Sequence, residues 1–366
     1  MNPLIHFLGI CIKFIILNTK IFVKYLFIRN KEINSSNIDT VVFTHNLGGG
    51  TESYVRKNFY RNNILIVRLC SYRNDSFFML EHEKEVRILY SKKMFLFLNN
   101  LPVSTIIINS LNAYNKPEKI INYVISKKKQ CSIGYLVHDF HAVCPTGMFV
   151  ISKKFCQYKC ENCKISNTKI NDWRNMWKKF LQITDYVICF SNSSKEILCQ
   201  FYACIEDRVK IIPHSMTYCD FSPINMNEKF KNIAVIGNCS NIPKGKEVIK
   251  NLVLTIKKLK ERKLYIIGKY PFFFHKNSNF VKYTGEYAIR ELPHLIKTYN
   301  VRVIVFTSIC PETFSYAISE FMRLDLYIVS LDLGAQGEKL KNYDKAIFIP
   351  DLEPSSILAG VERCFI

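Results

Sequence analysis

No uninterrupted apolar run in this chain reaches the roughly 20 residues that a membrane-spanning helix needs. Residues 5–28 come nearest, but Lys13, Lys20 and Lys24 interrupt them, with Asn18 and Thr19 between. No small-residue cleavage site is evident, so a cleaved secretory leader is not expected. An apolar segment with a few basic residues, followed here by Arg29 and Lys31, fits a helix lying in an anionic interface; a helix packed on the protein fits equally. Acidic residues are scarce, 30 against 51 basic, for a formal charge of +21. Even so, no block of five or six like charges occurs, which argues against a nucleic-acid-binding tail. Neither a Gly-x-Gly-x-x-Gly fingerprint nor a P-loop is present, since no Gly-Lys-Ser/Thr follows the glycines at 48–50. A short-period internal repeat is missing as well.

What is there suits two α/β domains. The 366 residues exceed one typical core, and 48% of them are hydrophobic. Strand-like runs at 39–44, 64–69, 77–80, 86–90, 105–109, 134–137, 186–190 and 209–212 alternate in part with helix-like runs such as 116–127. Trp173, Trp177, Phe180 and Leu181 recur at helical spacing and read as a core stripe. Residues 216–231 read as a linker. A second alternation begins at 233–237, then the helix 247–259, and further strands at 264–267, 280–283, 301–306, 327–330 and 346–349. The expected organisation is an N-terminal apolar and basic helical segment (1–38), a Rossmann-like domain (39–215), the linker, and a second Rossmann-like domain (232–366). Each domain would be a doubly wound parallel sheet, the two facing a cleft.

Several stretches carry chemistry. Residues 309–320 follow a strand and open a helix at Tyr316. The first amides of a helix lack internal partners, and the helix dipole is positive there, so such an end seats phosphate. Glu312 and Glu320 flank this seat and are suited to accept hydrogen bonds from hydroxyls on either side of a diphosphate. The loop of Gly48, Gly49 and Gly50 lets backbone pass close to a ligand. His138 and Asp139 end a strand, where a histidine can donate to a sugar hydroxyl or a developing charge; His141 is a lesser candidate. Among 14 cysteines, Cys70, Cys189 and Cys310 sit in apolar runs and read as buried thiols, which suits a reducing compartment. Cys144, Cys156, Cys160 and Cys163 have ligand-like spacing for a closed structural zinc site; loop thiols and disulfides are the alternatives.

The Glu-x7-Glu from Glu312 to Glu320, the loop from Gly48 to Glu52, the His138-Asp139 pair, Pro243-Lys244-Gly245 and the segment Asp332-Leu333-Gly334-Ala335-Gln336-Gly337-Glu338 together resemble retaining GT-B glycosyltransferases of family 4, in a bacterial polysaccharide or O-antigen-type branch. The resemblance spans about 41–346. It implies that Glu320 binds the ribose of a nucleotide sugar, that Glu312 faces the donor sugar, and that amides around Phe314, Ser315 and Tyr316 hold the diphosphate. It further implies that Lys244 binds phosphate, that His138 positions donor or acceptor, and that no catalytic metal is needed. Two departures stand out: Ser53 replaces a usual basic residue, and Asn238 to Asn241 replace a usual arginine near Lys244. The implied partners are a nucleotide diphosphate sugar, a glycan or lipid-linked glycan, and the anionic inner face of a bacterial membrane. A degenerate GT-B partner subunit and a basic zinc-containing nucleic-acid-binding protein are the other readings.

Overall fold

The computed structural model describes residues 33–71, 74–160, 163, 165, 167–225, 231–271 and 277–365, so the apolar, basic segment 5–28 lies outside the described residues. The chain divides into two compact units. Among the described residues, one takes those within 33–147, 171–189 and 198–212; the other takes those within 148–170, 190–197 and 213–365.

The first unit contains β1 (Thr40–Thr44), α1 (Gly49–Asn58), β2 (Ile64–Ser71), β3 (Asn74–His82), β4 (Glu85–Tyr90), α2 (Ser91–Asn99), β5 (Thr105–Ile108), α3 (Pro117–Ser126) and β6 (Ser132–Leu136). A small ladder of β7 (Val150–Ile151) and β8 (Lys154–Phe155) belongs to the second unit. Then come α4 (Asn167–Gln182), β9 (Tyr186–Cys189), α5 (Asn192–Phe201) and β10 (Val209–Ile211). The sheet order is β10-β9-β6-β5-β1-β2-β3-β4. All five residues of β1 are buried, as befits an apolar, β-branched strand paired in parallel with β2 and β5. The expected core stripe on α4 is present: Trp177, Phe180 and Leu181 are fully buried.

One edge departs from the parallel sheet read from the sequence. The pairs β2–β3 and β3–β4 are antiparallel. His82 pairs directly with Glu85, so only a tight turn joins β3 to β4, with Glu83 at φ 51°. A parallel connection needs a crossover of a dozen or more residues, and no such length is available there.

The second unit contains β11 (Asn232–Asn238), α6 (Lys246–Leu259), β12 (Leu264–Lys269), β13 (Val281–Gly285), α7 (Leu292–Tyr299), β14 (Val301–Val305), α8 (Tyr316–Arg323), β15 (Tyr327–Ser330), α9 (Gly334–Leu340), β16 (Ala346–Phe348) and α10 (Pro354–Glu362). Its six strands are parallel, in the order β13-β12-β11-β14-β15-β16. Alternate residues of β11 feed opposite faces. Ile233 and Val235 pack with Ile249, Leu252 and Ile256 of α6 and with Ile357 and Val361 of α10. Ala234 and Ile236 pack with Leu292 and Ile296 of α7 and with Ile318 and Phe321 of α8. Helices on both faces make the sheet doubly wound.

Residues 148–170 and 190–197, placed in the first domain by sequence, group with the second unit. Specific contacts account for this. Lys153 pairs with Glu247 at 3.1 Å, and the Phe190 ring lies 3.9 Å from that of His214. The amides of Asn192 and Ser193 donate to Glu338 at 3.1 and 2.6 Å.

Candidate functional site

Strand order in the second unit reverses between β11 and β14, and ligands of open parallel sheets gather outside the carboxyl ends at such a point. The loops leaving these two strands are tied together. The Ile309 amide donates to the Pro243 carbonyl at 2.9 Å, and Thr307 Oγ1 donates to the Lys244 carbonyl at 2.9 Å. Gly245 has φ 86°, and a Cβ there would meet the Thr307 carbonyl oxygen at 2.2 Å. Only glycine lets the turn close this far.

Across this junction Lys244 forms an ion pair with Glu312. Burial works to raise the Glu312 carboxyl, but the Lys244 ammonium outweighs it and holds the group below its usual value. Burial likewise works to depress Lys244, and Glu312 outweighs that and raises it. Both partners are therefore charged at neutral pH. The Lys244 side chain keeps 46% of its surface exposed against 13% for Glu312, so the cation remains open to an incoming anion.

The segment around α9 forms the back wall of this loop. Gln336 is fully buried; its Oε1 accepts from the Glu312 amide at 2.9 Å and its Nε2 donates to the Cys310 carbonyl at 2.9 Å. The Ala335 amide donates to the Glu312 carbonyl at 2.9 Å. A Cβ on Gly334 would come within 2.6 Å of Pro311 Cα. Ser315 caps α8 in the left-handed region, with φ 61° and ψ 83°. Its hydroxyl is buried beside the Glu312 carboxylate and helps to hold that carboxyl low. A half-exposed cation and a helix N-terminus thus meet at one point, the chemistry of an anion seat.

On α8, Glu320 is buried, and its Oε1 accepts from Tyr218 Oη at 2.6 Å. Burial raises its carboxyl, against the opposing effects of Tyr218 and Lys339. His214 packs against Phe190, Phe314 and Tyr316, and its Nδ1 is 2.8 Å from Tyr316 Oη. Burial, helped by the nearby Lys339 charge, pushes His214 down to about 3 from 6.5. The unfolded chain then takes up a proton that the folded unit does not. Stability should fall as pH drops below 6.5 toward about 3, by at most ~1.4 kcal/mol per pH unit from this group. Denaturant unfolding of wild type and His214→Gln between pH 7 and pH 4 checks this. The variant is expected to show the shallower acid loss, and parallel slopes would rule the assignment out.

At the corresponding edge of the first unit, order reverses between β1 and β5. Gly48 and Gly49 adopt φ of 78° and 73° at the start of α1, with open space where a Cβ would be. Gly50 is within α1. Glu52 pairs with Arg56 and with Arg68; Arg68 also reaches Glu81 at 3.0 Å and the His45 carbonyl at 3.1 Å. The glutamate of the glycine loop therefore anchors that loop to β2. Asp139 is committed to its own turn: Oδ2 accepts from Ser110 Oγ at 2.7 Å and Oδ1 from the His141 amide at 2.9 Å. The His138 ring stands edge-on to Tyr54, with centroids 4.9 Å apart. Asn109, at the end of β5, is fully buried and donates to Thr44 Oγ1 at 2.9 Å.

The structure therefore gathers Lys244, Glu312, Phe314, Ser315, Tyr316 and Glu320 in the second unit, and the glycine loop, His138 and Asp139 in the first. Sequence reasoning missed Arg68, His214, Tyr218, Gln336 and Lys339. Of these, Gln336 lies in the segment 332–338 and His214 in the strand end 213–215, and no spacing signal marks the rest.

The four cysteines read as a zinc set fall in both units, Cys144 in the first and Cys156, Cys160 and Cys163 in the second. Among the described residues no three His, Cys, Asp or Glu side chains are placed to hold a metal ion. Cys144 Sγ lies 3.2 Å from Thr146 Oγ1, and Cys160 Sγ donates to the Tyr158 carbonyl at 3.4 Å. Around Cys156 the Tyr158 ring packs on Phe149 and Phe155, with centroids 4.8 and 5.3 Å apart. Aromatic packing thus shapes this loop.

No protein-family model matches the sequence, and no curated protein matches it. Solved structures do. The chain is similar to HepE of Anabaena in complex with UDP, with a TM-score of 0.56 and 14% identity over 89% of this chain and 90% of HepE. It is similar to sucrose-phosphate synthase of Thermosynechococcus elongatus, with a TM-score of 0.59 and 12% identity over 89% of each chain. It is also similar to the lipopolysaccharide outer core galactosyltransferase WaaB, with a TM-score of 0.53 and 15% identity over 88% of each chain. With a doubly wound sheet in each unit and these neighbours, the chain has the GT-B fold of glycosyltransferases.

Proposed function

We propose that this protein is a retaining glycosyltransferase of the family-4 type, moving a sugar from a nucleoside diphosphate sugar to a hydroxyl of a glycan or lipid-linked glycan. The observation that carries this is the anion seat at the β11–β14 reversal, where Lys244 meets the N-terminus of α8. Glu320, with Oε1 taken by Tyr218, lies one helix turn further on, where a carboxylate suits ribose hydroxyls. HepE, of the same fold, has been solved with UDP and with UDP-glucose, which supports a nucleotide-sugar donor here.

In this reading the bond between the anomeric carbon and the diphosphate breaks as a bond to the acceptor oxygen forms on the same face. The acceptor proton passes to an oxygen of the departing diphosphate. Negative charge grows on that group, and Lys244 exchanges Glu312 for it while the α8 amides donate to it. The chemistry calls for no catalytic metal, and the work would sit at the inner face of a bacterial membrane, where lipid-linked acceptors are presented.

Calorimetry of chelator-treated protein with UDP, ADP, GDP and dTDP tests the reading. At least one should bind, and Glu320→Ala should weaken it tenfold or more, about 1.4 kcal/mol or above, by removing the charged acceptor for the ribose. Absence of binding by all four, or unchanged affinity in a folded Glu320→Ala protein, would count against the donor site.

A further inference from the structure

Lys339 has no part in the seat as described so far, yet it lies directly behind it. Its Nζ donates to the Ser315 carbonyl at 3.1 Å and to Ser319 Oγ at 2.6 Å, and sits 3.3 Å from the centre of the Phe314 ring. The Ser315 carbonyl belongs to the same peptide group as the Tyr316 N–H, the first amide of α8. In a trans peptide the two point in opposite directions. An ammonium on the oxygen therefore polarises the N–H that faces the helix mouth. Charge balance gives this cation a purpose. Lys244 is already paired with Glu312, and Glu320 adds a second carboxylate on α8. Residues 238–241 contribute no basic side chain. Without Lys339 the seat would be net negative, an unsuitable field for a diphosphate.

We propose that Lys339 is the second cation of the diphosphate seat, a positioning residue that acts on the anion through the Ser315–Tyr316 peptide. This rests on the donor site proposed above.

The groups facing Lys339 support a protonation link. Burial pushes Lys339 down to about 7, against the raising effect of Glu312, Glu338 and Glu320. His214, the other neighbour, is uncharged near neutral pH. Cys310 and Cys239, close to Lys244, are pushed up by burial to about 11 and about 12, so neither titrates just above neutrality. Lys339 is charged below about 7 and loses its charge as pH rises through that value. A bound polyanion favours the charged form. Binding above neutrality should therefore draw a proton onto the protein, and affinity should fall as pH rises, by up to roughly tenfold per unit. A terminal phosphate, with its second ionisation near pH ~6, is already fully charged in that range.

The test is calorimetric titration of the full chain with whichever of UDP, ADP, GDP and dTDP binds best. It runs from pH 7 to pH 9, in Tris and in HEPES, whose ionisation enthalpies differ. Wild type is expected to take up close to one proton at pH 8 and to bind progressively more weakly toward pH 9. Lys339→Met should bind with the weak alkaline affinity at every pH and take up none. Lys339→Arg should bind independently of pH at no less than the wild-type alkaline affinity. A pH-independent wild type without proton uptake, or a Lys339→Met protein that keeps the wild-type profile, overturns the inference while leaving the donor site intact. If Lys339→Met does not fold, the wild-type proton count and Lys339→Arg still decide. If wild type binds none of the four nucleotides, donor site and inference fall together.

Discussion

Replacing Lys244 with methionine is expected to lower the rate of sugar transfer by about 10²–10³-fold, the usual cost of losing one preorganised charge at a developing anion. Two effects act in the same direction. The departing diphosphate loses the ammonium that meets it, and Glu312, only 13% exposed, loses its counter-ion beside that anion. The two are separable with a second substitution. Lys244→Met/Glu312→Gln removes the exposed repulsion along with the pair, so it should bind nucleoside diphosphate better than Lys244→Met alone, while transfer remains slow. Steady-state rates with a labelled nucleotide sugar, alongside calorimetric affinities, give both numbers. A Lys244→Met enzyme working within threefold of wild type would remove this lysine from the mechanism.

The second large effect concerns stability. Arg68→Met should destabilise the first unit by about 3–5 kcal/mol, because it leaves buried or half-buried carboxylates without a partner. Arg68 is 2% exposed and holds Glu52 and Glu81, each 16% exposed, together with the His45 carbonyl. Its removal strips one cation from two anions and frees the glycine loop from β2. Denaturant unfolding followed by intrinsic fluorescence reads the loss, since both tryptophans, Trp173 and Trp177, lie in the first unit. Nucleoside diphosphate binding, proposed here for the second unit, should survive wherever the protein is still folded. A loss under about 1 kcal/mol would show that the ion network does not anchor the loop.

How far the sequence could be read depended on how local the cause was. The start of α8 and the bounds of β15 agree with the sequence reading, because a loop with a proline and small polar residues, a helix start and an apolar β-branched run are each local signals. Glu312 and Glu320 were visible for a similar reason: their spacing lies within one motif. Tyr218 and His214 were not, since each contacts a residue 102 positions away. Lys339 resembled any helix-end lysine until the fold placed it under Ser315, 24 positions distant. Arg68 looked like a charge interrupting a strand, and only its carboxylate partners on α1 and β3 explain its burial. The antiparallel edge was missed because β3 and β4 are longer than their apolar centres, which hid how short the turn between them is.

The amide of Gln336 behaves as a rung that the main chain did not provide. With one acceptor and one donor it spans Cys310 to Glu312 as a neighbouring strand would, holding an irregular loop in a sheet-like grip. A loop held in this way has already lost its conformational freedom during folding, so an arriving ligand need not supply that ordering. In the proposed donor site the dipoles would then be aligned before the anion arrives and would need little rearrangement as its charge grows. On the proposed mechanism, a residue that touches neither sugar nor nucleotide would set how sharply the seat tells a transition state from a ground state.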